Sequence, residues 1–171
     1  AALNGQDTRR DDGLVQEPFL AFVVPGKPVG KALRVTTING HGSIGTTPHS
    51  GSWMQLVTFA ARQAMGGRPM ETGPVELTVV AVLPRPKRLD VGKLRHDPGE
   101  VPAPCKPDSS NVIKGLEDAM TRAGVWRDDA QVSDLLVKKR YHAIGAAPET
   151  RVEVRQVVVP LHEAPRKGKR G

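Results

Sequence analysis

Asp108, Ser110, Lys114, Glu117, Asp118, Asp128 and Asp129 crowd into one short stretch, and their types suit metal-assisted chemistry on a phosphate. Carboxylates from separate short segments fit a hard cation such as Mg²⁺, which takes oxygen ligands and keeps several waters. A lysine beside them would stabilise negative charge as it develops on a phosphodiester. The spacing predicts a helix from Asp108 or Ser109, either of which is a good N-cap, to Gly124, a good terminator. Val112, Ile113, Leu116, Ala119, Met120 and Ala123 fall on one arc of that helix, and Ser110, Lys114, Glu117 and Asp118 on the other. Asp128 and Asp129 follow in a turn that a folded connection would bring back toward the helix. The same pattern also fits an ordinary solvated helix face, and spacing alone does not choose between the two.

A longer pattern does choose. The run Asp108-x-x-Asn111-x-x-Lys114-x-x-x-Asp118-Ala119 is followed by Gly-Val-Trp-Arg-Asp-Asp-Ala-Gln-Val over residues 124–132. It resembles the signature of the RusA family of Holliday junction resolvases. The usual form there is Asp-x-Asp-Asn-x-x-Lys-x-x-x-Asp-Ala-Leu, then a short spacer and Asp-Asp-x-Gln-Val. The resemblance implies a homodimeric, Mg²⁺-dependent endonuclease, with Mn²⁺ as a substitute ion, that cuts branched DNA. It implies metal at Asp108, at the Ser110 position and at Asp129, with Lys114 essential. Asp128 is a further ligand or orienter, and Asn111 and Asp118 support the site.

One position departs from the family. Ser110 stands where the second Asp is usual, and serine is a poor ligand beside a carboxylate. Glu117, on the same side of the wheel, is the expected replacement. The expected catalytic set is therefore Asp108, Lys114, Asp129 and Glu117. Two other readings stay open: a junction-binding protein weakened in catalysis by Ser110, and a general branched-DNA nuclease.

The rest of the chain must position this set. The 171 residues suffice for one domain with a real core, and the formal net charge of +7 favours a polyanionic partner. No basic amphipathic helix or long apolar run points to a membrane, and nothing points to a small-molecule cofactor. Two Trp, one Tyr and three Phe make a mostly aliphatic core and argue against a base-stacking platform. The single cysteine, Cys105, allows no internal disulfide and fits a reducing compartment. No signal-peptide pattern appears. The resemblance implies a cytoplasmic protein in a bacterial, phage or prophage setting.

Residues 1–17 read as a flexible tail, 18–160 as the domain, and 161–171 as a basic tail. Phe19–Val24 is a buried strand ended by Pro25-Gly26. The loop behind it carries Lys27, Lys31 and Arg34, cations suited to phosphates, and the resemblance implies that they contact the DNA backbone. Residues 35–50 read as a long loop or loose hairpin, and Ser52 to Met65 as an amphipathic helix with a Ser cap. Neither His41 nor His49 has the helical partner that a zinc site would need. Pro74–Leu83 is the clearest strand. A basic, proline-containing loop with Arg85, Lys87, Arg88, Lys93, Arg95 and His96 then leads to Lys106, a DNA-contact candidate like the first three. Gln131 to Tyr141 is a strand, and the resemblance implies that its Lys139 approaches the scissile phosphate; Thr150–Val159 is a strand expected to pair with it. The order predicts an α+β fold: a mixed sheet of about four strands with two main helices packed on it, dimeric by the resemblance.

Overall fold

A computed structural model describes residues 17–38, 41–89 and 97–158. The two tails and the segment with Lys93, Arg95 and His96 lie outside the described residues. The strands are β1 (Leu20–Pro25), β2 (Leu33–Ile38), β3 (His41–Thr46), β4 (Val75–Leu83), β5 (Val101–Pro102), β6 (Val132–Tyr141) and β7 (Glu149–Gln156). The helices are α1 (Pro48–Met65) and α2 (Ser109–Ala123), and short 3₁₀ turns form at Lys87–Leu89 and Asp129–Gln131.

The fold is mixed α+β. A five-stranded sheet runs in the order β1-β7-β4-β6-β5, and β2 and β3 make a separate hairpin. β4 and β6 are parallel, paired from Val75 opposite Val132 to Leu83 opposite Tyr141, with a register shift after Val75. A parallel pair needs a long crossover, and α2 lies within it. β7 does not pair with β6 as the sequence order suggested. It runs antiparallel between β1 and β4, because the crossover has already set β6 on the other side of β4. The sheet has five strands rather than about four, the addition being the two-residue β5 at the far end of β6.

Alternation decides the two faces of the sheet. Val75, Leu77, Val79 and Ala81 of β4 join Leu20, Val24, Val152 and Val154 on the covered face. Trp53, Met54, Val57 and Ala61 of α1, and Val112, Ile113, Leu116, Ala119 and Met120 of α2, complete that core. Glu76, Thr78 and Val80 point to the other face, level with Asp134, Leu136 and Lys138 of β6. Arg155 ties this face together, 3.7 Å from Glu76 and 2.6 Å from Glu153.

α1 begins at Pro48, four residues before Ser52, because proline's fixed φ suits the first helical position and its missing N–H costs nothing there. The stretch before it is the β2–β3 hairpin. Leu33, Val35 and Ile44 share one face of that hairpin and are 62, 69 and 71% exposed.

Candidate active site

α2 follows the expected plan. Asp108 is its N-cap residue, although its side chain makes no capping bond, and Gly124 closes it in the left-handed region at φ 78°. The spacer that follows is an anchor. Val125 and Trp126 are fully buried, and Trp126 Nε1 donates to Thr121 Oγ1 at 2.8 Å.

The acidic turn is built by two residues of the Asp-Asp-x-Gln-Val run. Asp128 Oδ1 accepts from Ala130 N at 2.8 Å, and Gln131 Oε1 accepts from the N–H groups of Arg127 and Asp128. Gln131 Nε2 donates to the carbonyls of Glu71 and Gly73 at 3.1 and 2.9 Å, which pins the turn to the segment before β4. Asp128 thus commits one carboxylate oxygen to a capping box, and the neighbouring Asp129 is exposed. Asp118, Thr121, Arg122, Arg127, Asp128 and Asp129 line an open hollow of about 300 Å³. Arg122 and Arg127 were not singled out from the sequence. The signal available was their place on either side of the Gly-Val-Trp anchor.

Glu117, at the middle of α2, faces this acidic turn. Burial pushes its carboxyl above the usual range, and the negative charges of Asp129 and Asp118 push it further. Asp118 does not hold Lys114. It pairs with Lys31 Nζ from the loop after β1. Lys114 and Ser110 are exposed, and Asn111 is half-buried.

The other end of α2 is held by different contacts. Lys31 N donates to Asn111 O at 2.7 Å. A Cβ on Gly30 would lie 3.0 Å from Pro107 Cβ and 3.1 Å from Asn111 Cβ, so the loop crosses the helix start more tightly than a larger residue would allow without a shift. Buried Ser50 fixes the loop from below, its Oγ donating to Gly30 O at 2.8 Å. The Lys106–Pro107 bond is cis. Lys139 Nζ donates to the carbonyls of Cys105 and Pro107 and so braces the turn in front of Asp108.

These contacts correct three expectations. Lys139 is directed at loop carbonyls rather than outward to a phosphate. Arg85 is not a surface cation: its side chain is 2% exposed, and its guanidinium donates to His142 O and Gly99 O at 3.1 and 3.3 Å. The carboxylates do not converge within one chain. Asp108 precedes α2, whereas Asp129 lies beside Glu117 and Asp118, nine and ten residues on, which is about 14 Å along the helix axis. Glu117 stands two turns beyond Ser110, about 10 Å along the axis, too far to replace a ligand there. Among the described residues, no three His, Cys, Asp or Glu side chains gather closely enough to hold an ion. One chain alone therefore does not fit a three-ligand cation.

Of the remaining DNA-contact candidates, Lys27, Arg34, Lys87, Arg88 and Lys106 are exposed, and Lys31 is half-buried beside Asp118. No helix among the described residues is long and apolar enough to cross a membrane.

A family model described as endodeoxyribonuclease RusA matches residues 25–155. The chain is also similar to "Uncharacterized protein YqaN" of Bacillus subtilis (strain 168), at 32% identity over 144 residues, covering 81% of this chain and 96% of that protein.

Proposed function

The chain belongs to the RusA endodeoxyribonuclease family, and from that premise we propose that it is a divalent-cation-dependent nuclease that cuts branched DNA, four-way junctions above all, as a homodimer. The observation that carries the reading is that α2 holds both halves of the motif, one at each end. The Asp128–Gln131 capping box presents Asp129 at the C-terminal end, and the Gly30 crossing and Lys139 brace fix Asp108 at the N-terminal end. Two copies of α2 laid antiparallel would set Asp108 of one chain beside Asp129 and Glu117 of the other. That arrangement yields two equivalent acidic sites, one for each strand of a two-fold symmetric substrate.

Mg²⁺, or Mn²⁺ in its place, would supply Lewis-acid polarisation of the phosphate and a more acidic water. The chain's own residues do the rest. Lys114, exposed on the polar arc between the two acidic ends, offers an ammonium to the charge that develops on the attacked phosphate. Lys27, Arg34, Lys87, Arg88 and Lys106 bind flanking phosphates.

Two experiments test the proposal. Labelled four-way, three-way and linear duplexes are incubated with and without Mg²⁺; cleavage confined to branched substrates with Mg²⁺ is expected, and its absence under all conditions sinks the nuclease reading. Asp108→Asn and Asp129→Asn chains are each expected to be inactive. Mixed, they form heterodimers with one intact site, which nick one strand. A mixture as inactive as its parts would refute the shared site. A second reading, junction binding with weakened catalysis, is favoured by the exposed neutral Ser110 at the Asp108 end. Ser110→Asp decides it: a large gain in cleavage means that the natural chain is impaired.

A further inference from the structure

The outer edge of β6 carries a short sequence that is complementary to itself. β5 covers only Tyr141 and Arg140, and Ala103 N donates to Lys139 O just beyond. From Val132 to Lys138 no strand lies on that side among the described residues. An uncovered edge with apolar side chains is a template for another strand. Leu135 and Leu136 on it are 50 and 46% exposed.

We infer that two copies of this chain join through antiparallel pairing of their β6 edges, with Leu136 at the two-fold axis and Asp134 of each chain opposite Lys138 of the other. This rests on the homodimer reading above and gives it a surface and a register. Backbone direction sets the parity. The Ala103–Lys139 bond places the Lys139 carbonyl on the outer edge, and His142 N donates inward to Leu83 O. By alternation, Leu135 and Val137 turn their N–H and C=O groups outward, while Asp134, Leu136 and Lys138 turn theirs toward β4. A two-fold pair must therefore bond odd residues to odd residues.

Charge and bulk then select among the registers that parity allows. Centring on Leu135 sets Asp134 against Leu136. Centring on Val137 sets Lys138 against Leu136 and needs the edge at Lys139 that Ala103 already holds. Centring on Leu136 bonds Leu135 to Val137 in both directions and puts leucine against leucine. It also opposes Asp134 and Lys138 twice, in the closely spaced, non-hydrogen-bonded pairs where side chains interact best. A surface patch that matches its own copy is what an isologous two-fold interface requires. Pairing β6 to β6 also lays the two α2 helices antiparallel on one face of a continuous sheet.

The test is a charge swap read by sedimentation of the full chain, with no DNA present. The unaltered chain is expected to be a dimer. Asp134→Lys and Lys138→Asp each set two like charges in opposition and are expected to weaken association on the order of tenfold or more. Mixed in equal amounts, the two variants are expected to form a heterodimer, since both lysines of the first variant then face aspartates of the second. Folding defects in the single variants cannot produce that rescue. A mixture no tighter than its parts, or single variants that dimerise like the unaltered chain, overturns the interface and leaves the homodimer reading standing. Double substitution of Val35→Lys and Ile44→Lys on the β2–β3 hairpin is expected to leave association intact; if it alone dissociates the dimer, the interface lies on the hairpin instead. A chain that is a monomer at all concentrations sinks both readings.

Discussion

Asp128 and Gln131 cap one another, and the outcome of that reciprocity is the outward placement of Asp129. The Gln131 side chain accepts from two backbone N–H groups of the turn and donates to two carbonyls of the segment before β4. Gln131→Ala leaves those groups without their partner, so it should cost about 1–3 kcal/mol of stability. Asp129→Asn leaves every one of those contacts in place. It should keep the unfolding free energy within about 0.5 kcal/mol of the unaltered chain while abolishing cleavage. Urea unfolding of both variants, together with their cleavage rates, checks this. A large stability loss in Asp129→Asn would mean that the carboxylate holds the fold.

Gly30 tests the other end of α2. A methyl there meets Pro107 Cβ at 3.0 Å and Asn111 Cβ at 3.1 Å, tighter than ordinary contact. Gly30→Ala should therefore push the loop off the start of the helix at a cost of about 1–3 kcal/mol. Because the same segment carries Asp108, cleavage should fall by more than the loss of folded protein explains. Activity normalised to the folded fraction reads this directly. If normalised activity is unchanged, the loop does not position Asp108.

Two glutamates should respond to pH with opposite signs. Glu117 is held above its usual value, first by burial and then by Asp129 and Asp118. Its folded state binds the proton more tightly than the unfolded chain does. The stability it contributes is present below about 4.5 and is lost as pH rises through the folded value. Glu117→Gln should therefore raise Tm at pH 7 and have little effect near pH 4. Glu71 is held below its usual value, chiefly by the hydrogen bond from Gln156 and then by that from Gly73 N. Its contribution is present above about 4.5 and is lost as pH falls through the folded value. Glu71→Gln should lower Tm at pH 7, with the difference shrinking in acid. Thermal melts of both variants across pH 3–8 decide, and equal shifts at both ends would contradict the signs.

What could be read in the chain beforehand was local. The arc of Val112, Leu116 and Met120, the stop at Gly124 and the alternation of β4 are each set by neighbours within a few residues, and the folded protein carries them. The family signature is local too. What could not be read depends on pairs distant in sequence. Lys31 meets Asp118 across 87 positions, and β7 inserts beside β4 because a crossover formed earlier in the chain. Arg85 looked like one more cation in a basic run. It turns inward because the carbonyls of Gly99 and His142 close around it. The separation of Asp108 from Asp129 depends on where the turn after α2 comes to rest, which is beside Glu117 and Asp118 rather than at the start of the helix. The spacing left open a turn folded back along the helix.

That inward turn of Arg85 separates two kinds of cation, and salt dependence should tell them apart. Neutralising a phosphate releases counterions, so each true contact adds about 0.9 to the slope of log affinity against log salt on duplex DNA. Lys27, Arg34, Lys87, Arg88 and Lys106 are exposed, and alanine at any one of them should lower the slope by roughly that amount at unchanged stability. Arg85→Ala should leave the slope alone. It would instead strip the carbonyls of Gly99 and His142 of a donor and lose the nearby Asp97 at 3.6 Å, costing about 2 kcal/mol. Binding titrations at several salt concentrations, run beside urea melts, give both numbers. A slope that drops for Arg85→Ala with stability intact would return that residue to the DNA surface.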